Sequence, residues 1–232
     1  MHILLTRPLE DCSDLIIKFK KLGHSVSHIP LIKIKKIEYG EVNFYDFSAI
    51  IFTSSNSIKY LKLDNINKKL KCFCVGSATE KLARASGFQN VIAADGNVRA
   101  LKELILQNHE KKDGKILYVS GELISYNLEK ELRKEGYDIM RIINYSVEHN
   151  DEIKDDLIEE LKKNIPDIVY VYSENSSKSF LNIIKKYQLI DSWMNANLMC
   201  IGEKTSSVLN EVKWKKIFLF NPGEEEFLLY KV

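Results

Sequence analysis

Short apolar runs alternate along this chain with stretches whose apolar positions return every three to four residues. HILLT at residues 2–6 is a run of the buried-strand kind. Over residues 12–22, Leu15, Ile16, Phe19 and Leu22 share one helical face, and Gly23 follows where a helix end favours glycine. A second strand is predicted over residues 26–32. The same grammar predicts strands at residues 49–53, 72–76, 115–120, 168–172, 198–202 and 215–220. The middle ones lead into a Ser, Thr, Asn or Gly cluster and then a helical pattern. Strands alternating with helices imply β–α–β units and parallel sheets.

The pattern also repeats. AIIFTSSNSIKYL at residues 49–61 resembles IVYVYSENSSKSFL at 168–181, and KCFCVGSATEKLA at 71–83 resembles NLMCIGEKTSSVL at 197–209. HILLTRPLEDCSDLIIKFKKLGHSV at 2–26 resembles KILYVSGELISYNLEKELRKEGYDI at 115–139. Two similar halves follow, each of roughly 110 residues and about five strands, the size of a small doubly wound domain. Two pairings remain open. In a tandem arrangement the halves are consecutive. In a crossed one, the first strand–helix–strand packs with the last third of the chain. Extended segments at 31–39 and 143–148 then become antiparallel strands bridging the domains. Pattern alone does not choose.

Composition narrows the class. At 232 residues, 45% hydrophobic and 28% charged, the chain buries a sizeable core and is not disordered. A formal charge of +2 argues against a dedicated nucleic-acid binder. No apolar run approaches the roughly 20 residues of a membrane helix. The start lacks the pattern of a secretory signal, so four cysteines read as reduced thiols in a cytoplasm. Lysine outnumbers arginine 29 to 5, as in an A/T-rich coding sequence, so Arg7, Arg84, Arg99, Arg133 and Arg141 carry more information than the lysine pairs.

Familiar catalytic constellations are missing. The five histidines have no metal-face spacing, and there is no Walker A, G-x-G-x-x-G or G-x-S-x-G sequence. Cys72 and Cys74 share one side of a strand, and Cys74 matches Cys200 in the repeat, so core packing is favoured over metal. Four hydroxyl-rich strand-to-helix turns stand out: residues 53–56, 76–79, 173–177 and 202–205. In a parallel sheet such turns lie at the carboxyl ends of the strands, where ligands bind and helices offer free N–H groups to anions. Ser, Thr and Asn are also simply good helix caps. Four equivalent turns point instead to a ligand with several negative groups.

At this point the residues resemble a family. LLTRP at 4–8, IIFTSSNSI at 50–58, CVGSATEKLARASGF at 74–88, KILYVSGE at 115–122, INYSV at 143–147, VYVYSENSSKSFL at 169–181 and CIGEKTSSVL at 200–209 resemble, in that order, uroporphyrinogen-III synthase. The resemblance implies two similar doubly wound, flavodoxin-like parallel-sheet domains joined by a two-stranded β linker. Residues 1–33 and 150–232 would form one domain and residues 40–143 the other, with linker strands at 34–39 and 144–149. The tetrapyrrole would lie between the domains.

The resemblance also implies a cytoplasmic, monomeric lyase of haem biosynthesis, with no metal or organic cofactor and no nucleic-acid or membrane partner. Its substrate, hydroxymethylbilane, is a linear tetrapyrrole with eight carboxylates. Cyclisation to uroporphyrinogen III inverts ring D and loses water. Tyr145 matches a family tyrosine beside the cleft and takes the catalytic role. Thr6, Arg7, Thr53, Ser54, Asn56, Gly76, Ser77, Thr79, Gly121, Ser173, Ser176, Gly202 and Thr205 are the expected carboxylate-binding positions. The rival reading is a non-catalytic two-domain anion- or tetrapyrrole-binding protein, which would share the same turns.

Overall fold

The computed structural model describes residues 1–150, 152–221 and 223–231. The chain opens with β1 (His2–Leu5), α1 (Leu9–Lys21), β2 (Ser25–His28) and β3 (Ile32–Lys36). Next come β4 (Phe47–Phe52), α2 (Ser55–Lys59), β5 (Lys71–Cys74), α3 (Ser77–Ala85), β6 (Asn90–Ala93) and α4 (Val98–Asn108). β7 (Lys115–Gly121), α5 (Leu128–Lys134), β8 (Ile139–His149) and α6 (Asp155–Lys163) follow. The chain continues through β9 (Ile168–Val171), α7 (Glu174–Lys186), β10 (Asn197–Cys200), α8 (Glu203–Ser207) and β11 (Lys216–Leu219). None of the described helices is long and apolar enough to cross a membrane.

Local chemistry moves several boundaries. α1 starts three residues ahead of its apolar spacing, immediately after Pro8, whose ring presets φ and which has no N–H to leave unpaired. The predicted strand at 26–32 is broken instead of continuous: β2 ends at His28 and β3 begins at Ile32. Pro30, which has no N–H to donate to a ladder, lies between them. β8, by contrast, runs for 11 residues, well beyond the short extended segment its sequence suggested.

The chain divides into two compact units, Met1–Lys33 with Glu148–Val232, and Ile34–Val147. The sheet of the first has the order β2-β1-β9-β10-β11 and is parallel throughout. The second has β3-β8-β7-β4-β5-β6, of which β8 to β6 are parallel. β3 runs beside β8. Asn150 donates its N–H to the Leu31 carbonyl (2.9 Å) and Ile37 donates to that of Asn144 (2.9 Å), so the two strands are antiparallel.

The repeat explains the two orders. β1, β2, β9, β10 and β11 occupy the places that β7, β8, β4, β5 and β6 occupy in the second sheet. In chain order the first sheet is flavodoxin-like. The second has the same spatial arrangement, but the chain enters it at its third strand and supplies the first two last.

The central strands of each sheet are buried on both faces, because alternate residues leave a strand on opposite sides and both sides are covered by helices. In the second unit, Ile50, Phe52, Cys72, Cys74, Leu117 and Val119 pack with Ile58 and Leu61 of the α2 segment and Ala83 of α3. Ala49, Ile51, Phe73, Ile116 and Tyr118 pack on the other face with Leu101 and Ile105 of α4 and Leu128 and Leu132 of α5. In the first unit, Leu4, Val169, Val171, Leu198 and Cys200 meet α6 and α7, while Ile3, Leu5, Tyr170 and Met199 meet α1. Cys72 and Cys74 lie 3.9 Å apart, sulfur to sulfur, within this packing.

One core histidine makes stability depend on pH. His109 is buried in the second unit, Nε2 lying 3.5 Å from Ser48 Oγ and 3.4 Å from the Gly114 carbonyl, with Asp113 3.7 Å from Nδ1. Burial holds its pKa below the ordinary value despite the help of Gly114 and Asp113, and the Lys71 charge adds to the depression. The unfolded chain therefore takes up this proton first as pH falls through about 6.5, and stability drops between there and the lower native value. Urea midpoints at pH 7.5 and 5.5 should fall with pH in the wild type, and His109→Gln should flatten that slope. An unchanged slope in the variant assigns the acid sensitivity elsewhere.

Candidate functional site

Because the strands of each sheet other than β3 run parallel, their carboxyl ends form one edge, and every expected site residue lies on or beside such an edge. In the second unit the edge is organised around Tyr145, 8% exposed. The β7–β8 ladder pairs Ser120 with Ile143 and then Gly121 with Tyr145, so Asn144 is an extra residue. Such a bulge re-aims the following side chain. Asn144 turns inward and donates Nδ2–H to the Ser57 carbonyl at 2.7 Å. Glu122 donates its N–H to the Tyr145 carbonyl at 2.9 Å, locking the strand beyond the bulge.

The Tyr145 ring then lies directly against Gly121. A Cβ on Gly121 would sit 2.6 Å from Tyr145 Cζ and 2.9 Å from its hydroxyl oxygen, so any other residue there would displace the ring. Tyr145 lines a cavity of about 120 Å³ with Thr53, Tyr118, Gly121, Tyr126 and the 123–125 loop. Thr53 Oγ1 and Tyr118 Oη share a hydrogen bond at 3.2 Å. Burial pushes the Tyr118 phenol up, more than the Thr53 bond and the Arg141 charge lower it, so it stays neutral near neutral pH.

The turns behind this edge differ in how they start their helices. Ser54 caps α2 itself, its Oγ accepting from the Asn56 N–H (3.2 Å). Gly76, ahead of α3, has no side chain to cap with. Ser77 and Thr79 belong to that first turn, Ser77 exposed and Thr79 buried.

The first unit repeats the contrast. Ser173 caps α7, accepting from the Ser176 N–H (3.1 Å) and sharing a further bond with the Ser176 hydroxyl (2.8 Å). Gly202 heads α8 at φ +75°, a conformation that side chains rarely adopt. Arg7, half-buried after β1, lies with its guanidinium carbon 4.7 Å from the centre of the Tyr172 ring. Two expected ligands have another role. Thr6 is wholly buried and donates its hydroxyl to the Tyr170 carbonyl (2.6 Å). Thr205 donates to the Ile201 carbonyl (2.7 Å). Both hydroxyl protons are held by the backbone, so these residues shape the turns.

Three residues missing from the sequence-based set join these edges: Tyr118, Tyr172 and Arg141. Arg141 alone carried a signal, as one of five arginines. The two tyrosines read as ordinary apolar strand positions. Chemically, the edge of the second unit offers phenols, hydroxyls and the amides of the Gly76 turn, and that of the first offers hydroxyls, the amides of the Gly202 turn and the Arg7 guanidinium, groups suited to carboxylates and to proton donation.

Comparison with known proteins fits this chemistry. The sequence matches the family described as uroporphyrinogen-III synthase HemD over residues 13–219. A comparison with curated proteins gives no match. Among solved structures, the uroporphyrinogen-III synthetase of Helicobacter pylori is similar with a TM-score of 0.66 at 17% identity, over 100% of this chain and 99% of that one. A mutant uroporphyrinogen III synthase of the extremely thermophilic bacterium Thermus thermophilus gives a TM-score of 0.61 at 15% identity, over 100% and 97%. Those identities speak for a shared fold. With the family match running across most of its length, the chain belongs to the uroporphyrinogen-III synthase family.

Proposed function

We propose that this chain cyclises hydroxymethylbilane with Tyr145 as the catalytic phenol and with the substrate's carboxylates held at the carboxyl edges of the sheets. The observation that carries the reading is the Tyr145 ring pinned against Gly121 beside a cavity lined by Thr53 and Tyr118. The carbon–oxygen bond of the terminal hydroxymethyl group breaks with electron push from its own pyrrole. Tyr145 supplies the hydrogen bond, and the proton, with which that oxygen leaves as water. The electron-rich ring of Tyr145 favours the azafulvene cation left on ring A. Ring D attacks that cation through its substituted carbon to give a spiro intermediate; fragmentation and reclosure at its free α-carbon release the macrocycle with ring D inverted, and the proton lost from that carbon restores the Tyr145 phenol. Free bilane closes unaided to the uninverted isomer, so the protein's main task is geometric.

Carboxylates are taken by Arg7, by the side chains of Thr53, Ser54, Asn56, Ser77 and Ser173, and by amides at the Gly76 and Gly202 turns. Thr6, Ser176 and Thr205 hold those turns in shape, and Thr79 is buried in the first turn of α3. The chain works as a cytoplasmic monomer. Its four cysteines are buried free thiols, and burial pushes Cys12 to about 11 and Cys200 to about 12, which suits a reducing compartment. Sedimentation at micromolar protein tests the monomer.

Purified protein given freshly prepared hydroxymethylbilane should raise isomer III well above isomer I. Isomer I alone, at the spontaneous rate, would leave only binding. Thr53→Val removes one neutral-to-charged hydrogen bond and should slow turnover about 10- to 150-fold while isomer III is still made. A rate within twofold of wild type would remove Thr53 from the carboxylate set.

A further inference from the structure

We infer that Arg141 is a positioning residue that sets the angle and rigidity of Tyr145. Arg141 pairs with Tyr118 across β7–β8 and projects to the carboxyl end of β7. There its Nε donates to Ser120 Oγ (2.7 Å), and one terminal nitrogen donates to the carbonyls of Gly121 (2.7 Å) and Glu122 (3.1 Å). Ser120 Oγ donates in turn to the Gly121 carbonyl (3.0 Å). All three acceptors of the guanidinium are neutral, one a hydroxyl and two backbone carbonyls, so the planar fork is spent on fixing the Ser120–Glu122 segment.

The backbone it fixes is the surface on which the Tyr145 ring rests. Gly121 Cα meets that ring so closely that a methyl group would force the ring to move. The next peptide, Glu122, is the one that donates to the Tyr145 carbonyl. Arg141 thus clamps the Gly121–Glu122 segment from one side while Tyr145 is held to it from the other, by ring contact and by hydrogen bond. Without the clamp the Glu122 carbonyl loses the Arg141 bond and the Gly121 carbonyl keeps only that of Ser120 Oγ, so the phenol loses its fixed wall. A compact ammonium in place of the fork reaches fewer of the three acceptors at once, so lysine should restore only part of the arrangement.

This inference rests on Tyr145 being the catalytic phenol, so its test has two separate readouts. The first is kinetic. Arg141→Gln should lower kcat about 10- to 100-fold with KM within threefold of wild type, as expected for a misplaced catalytic group. Arg141→Lys should recover part of that loss. In a Tyr145→Phe background Arg141→Gln should cost less than threefold more, because the group it positions is already gone.

The second readout is structural: 3-fluorotyrosine placed at position 145 and observed by fluorine NMR. Its resonance should shift and broaden in Arg141→Gln and move only part-way in Arg141→Lys. An unchanged resonance in a folded Arg141→Gln protein overturns the positioning role whatever the kinetics show, as does an equal kinetic loss in both backgrounds. A Tyr145→Phe protein with wild-type turnover overturns the catalytic reading instead, and the fluorine signal still decides the positioning. Thermal melting monitors folding, and Arg141→Lys serves if Arg141→Gln does not fold.

Discussion

Gly121→Ala should abolish most of the activity and lower the melting temperature together. The added methyl would lie 2.6 Å from Cζ and 2.7 Å from Cε2 of Tyr145, distances that real contacts do not reach. The ring must therefore move, because β7 is held by backbone hydrogen bonds to both β4 and β8. Overpacking of this kind costs about 1–3 kcal/mol of stability. Displacing a catalytic group by about 1 Å costs about 100-fold in rate. Both losses come from one clash, so they should separate when the clash is relieved. Tyr145→Leu in the Gly121→Ala background should regain stability without regaining rate. Melting curves and initial rates of isomer III formation for the two variants check this, and a single Gly121→Ala protein with more than half the wild-type rate would show that the ring position does not matter.

Tyr145→Phe should be the most damaging conservative change among the site side chains, yet it should leave residual catalysis. It removes one hydroxyl and keeps the ring that rests on Gly121, so the protein should fold normally. A single general acid is worth about 10²–10⁴ in rate at most, and the substrate's hydroxyl already leaves with help from its own pyrrole. The ratio of isomer III to isomer I, corrected for spontaneous closure, should stay high because the shape of the site sets it. Activity falling to background in a folded Tyr145→Phe protein would mean that one residue carries the chemistry. A collapse of the isomer ratio at residual rate would mean that the phenol also steers ring D.

Much of this is legible in the sequence. Apolar runs such as 49–52 and 168–171 are buried on both faces, as parallel strands between helix layers must be. The repeat paired residues 49–61 with 168–181 and 71–83 with 197–209, and those segments occupy equivalent strands of the two sheets. Residues 53–56, 76–79, 173–177 and 202–205 do lie at carboxyl ends, because a turn that follows a strand in a parallel sheet has nowhere else to be.

Such features follow from local periodicity, which each segment of chain carries by itself. Strand partnership does not. Ile3 pairs with Ile168, and the hydrogen bonds that join them are made by backbone, which is alike at every residue, so nothing in either segment names the other. The same holds for the fate of each polar side chain. Thr6 and Thr205 have the same hydroxyl as Thr53, yet a carbonyl within 2.7 Å claims the first two, while Thr53 faces a cavity. Asn144 became a bulge, and Arg141 a clamp, only because β8 lies beside β7 with one residue to spare. Periodicity could place Tyr145 on a strand near a sheet edge. The glycine that its ring leans on, and the arginine that holds that glycine, are neighbours only across the sheet, where distance in space and not order in the chain decides what touches.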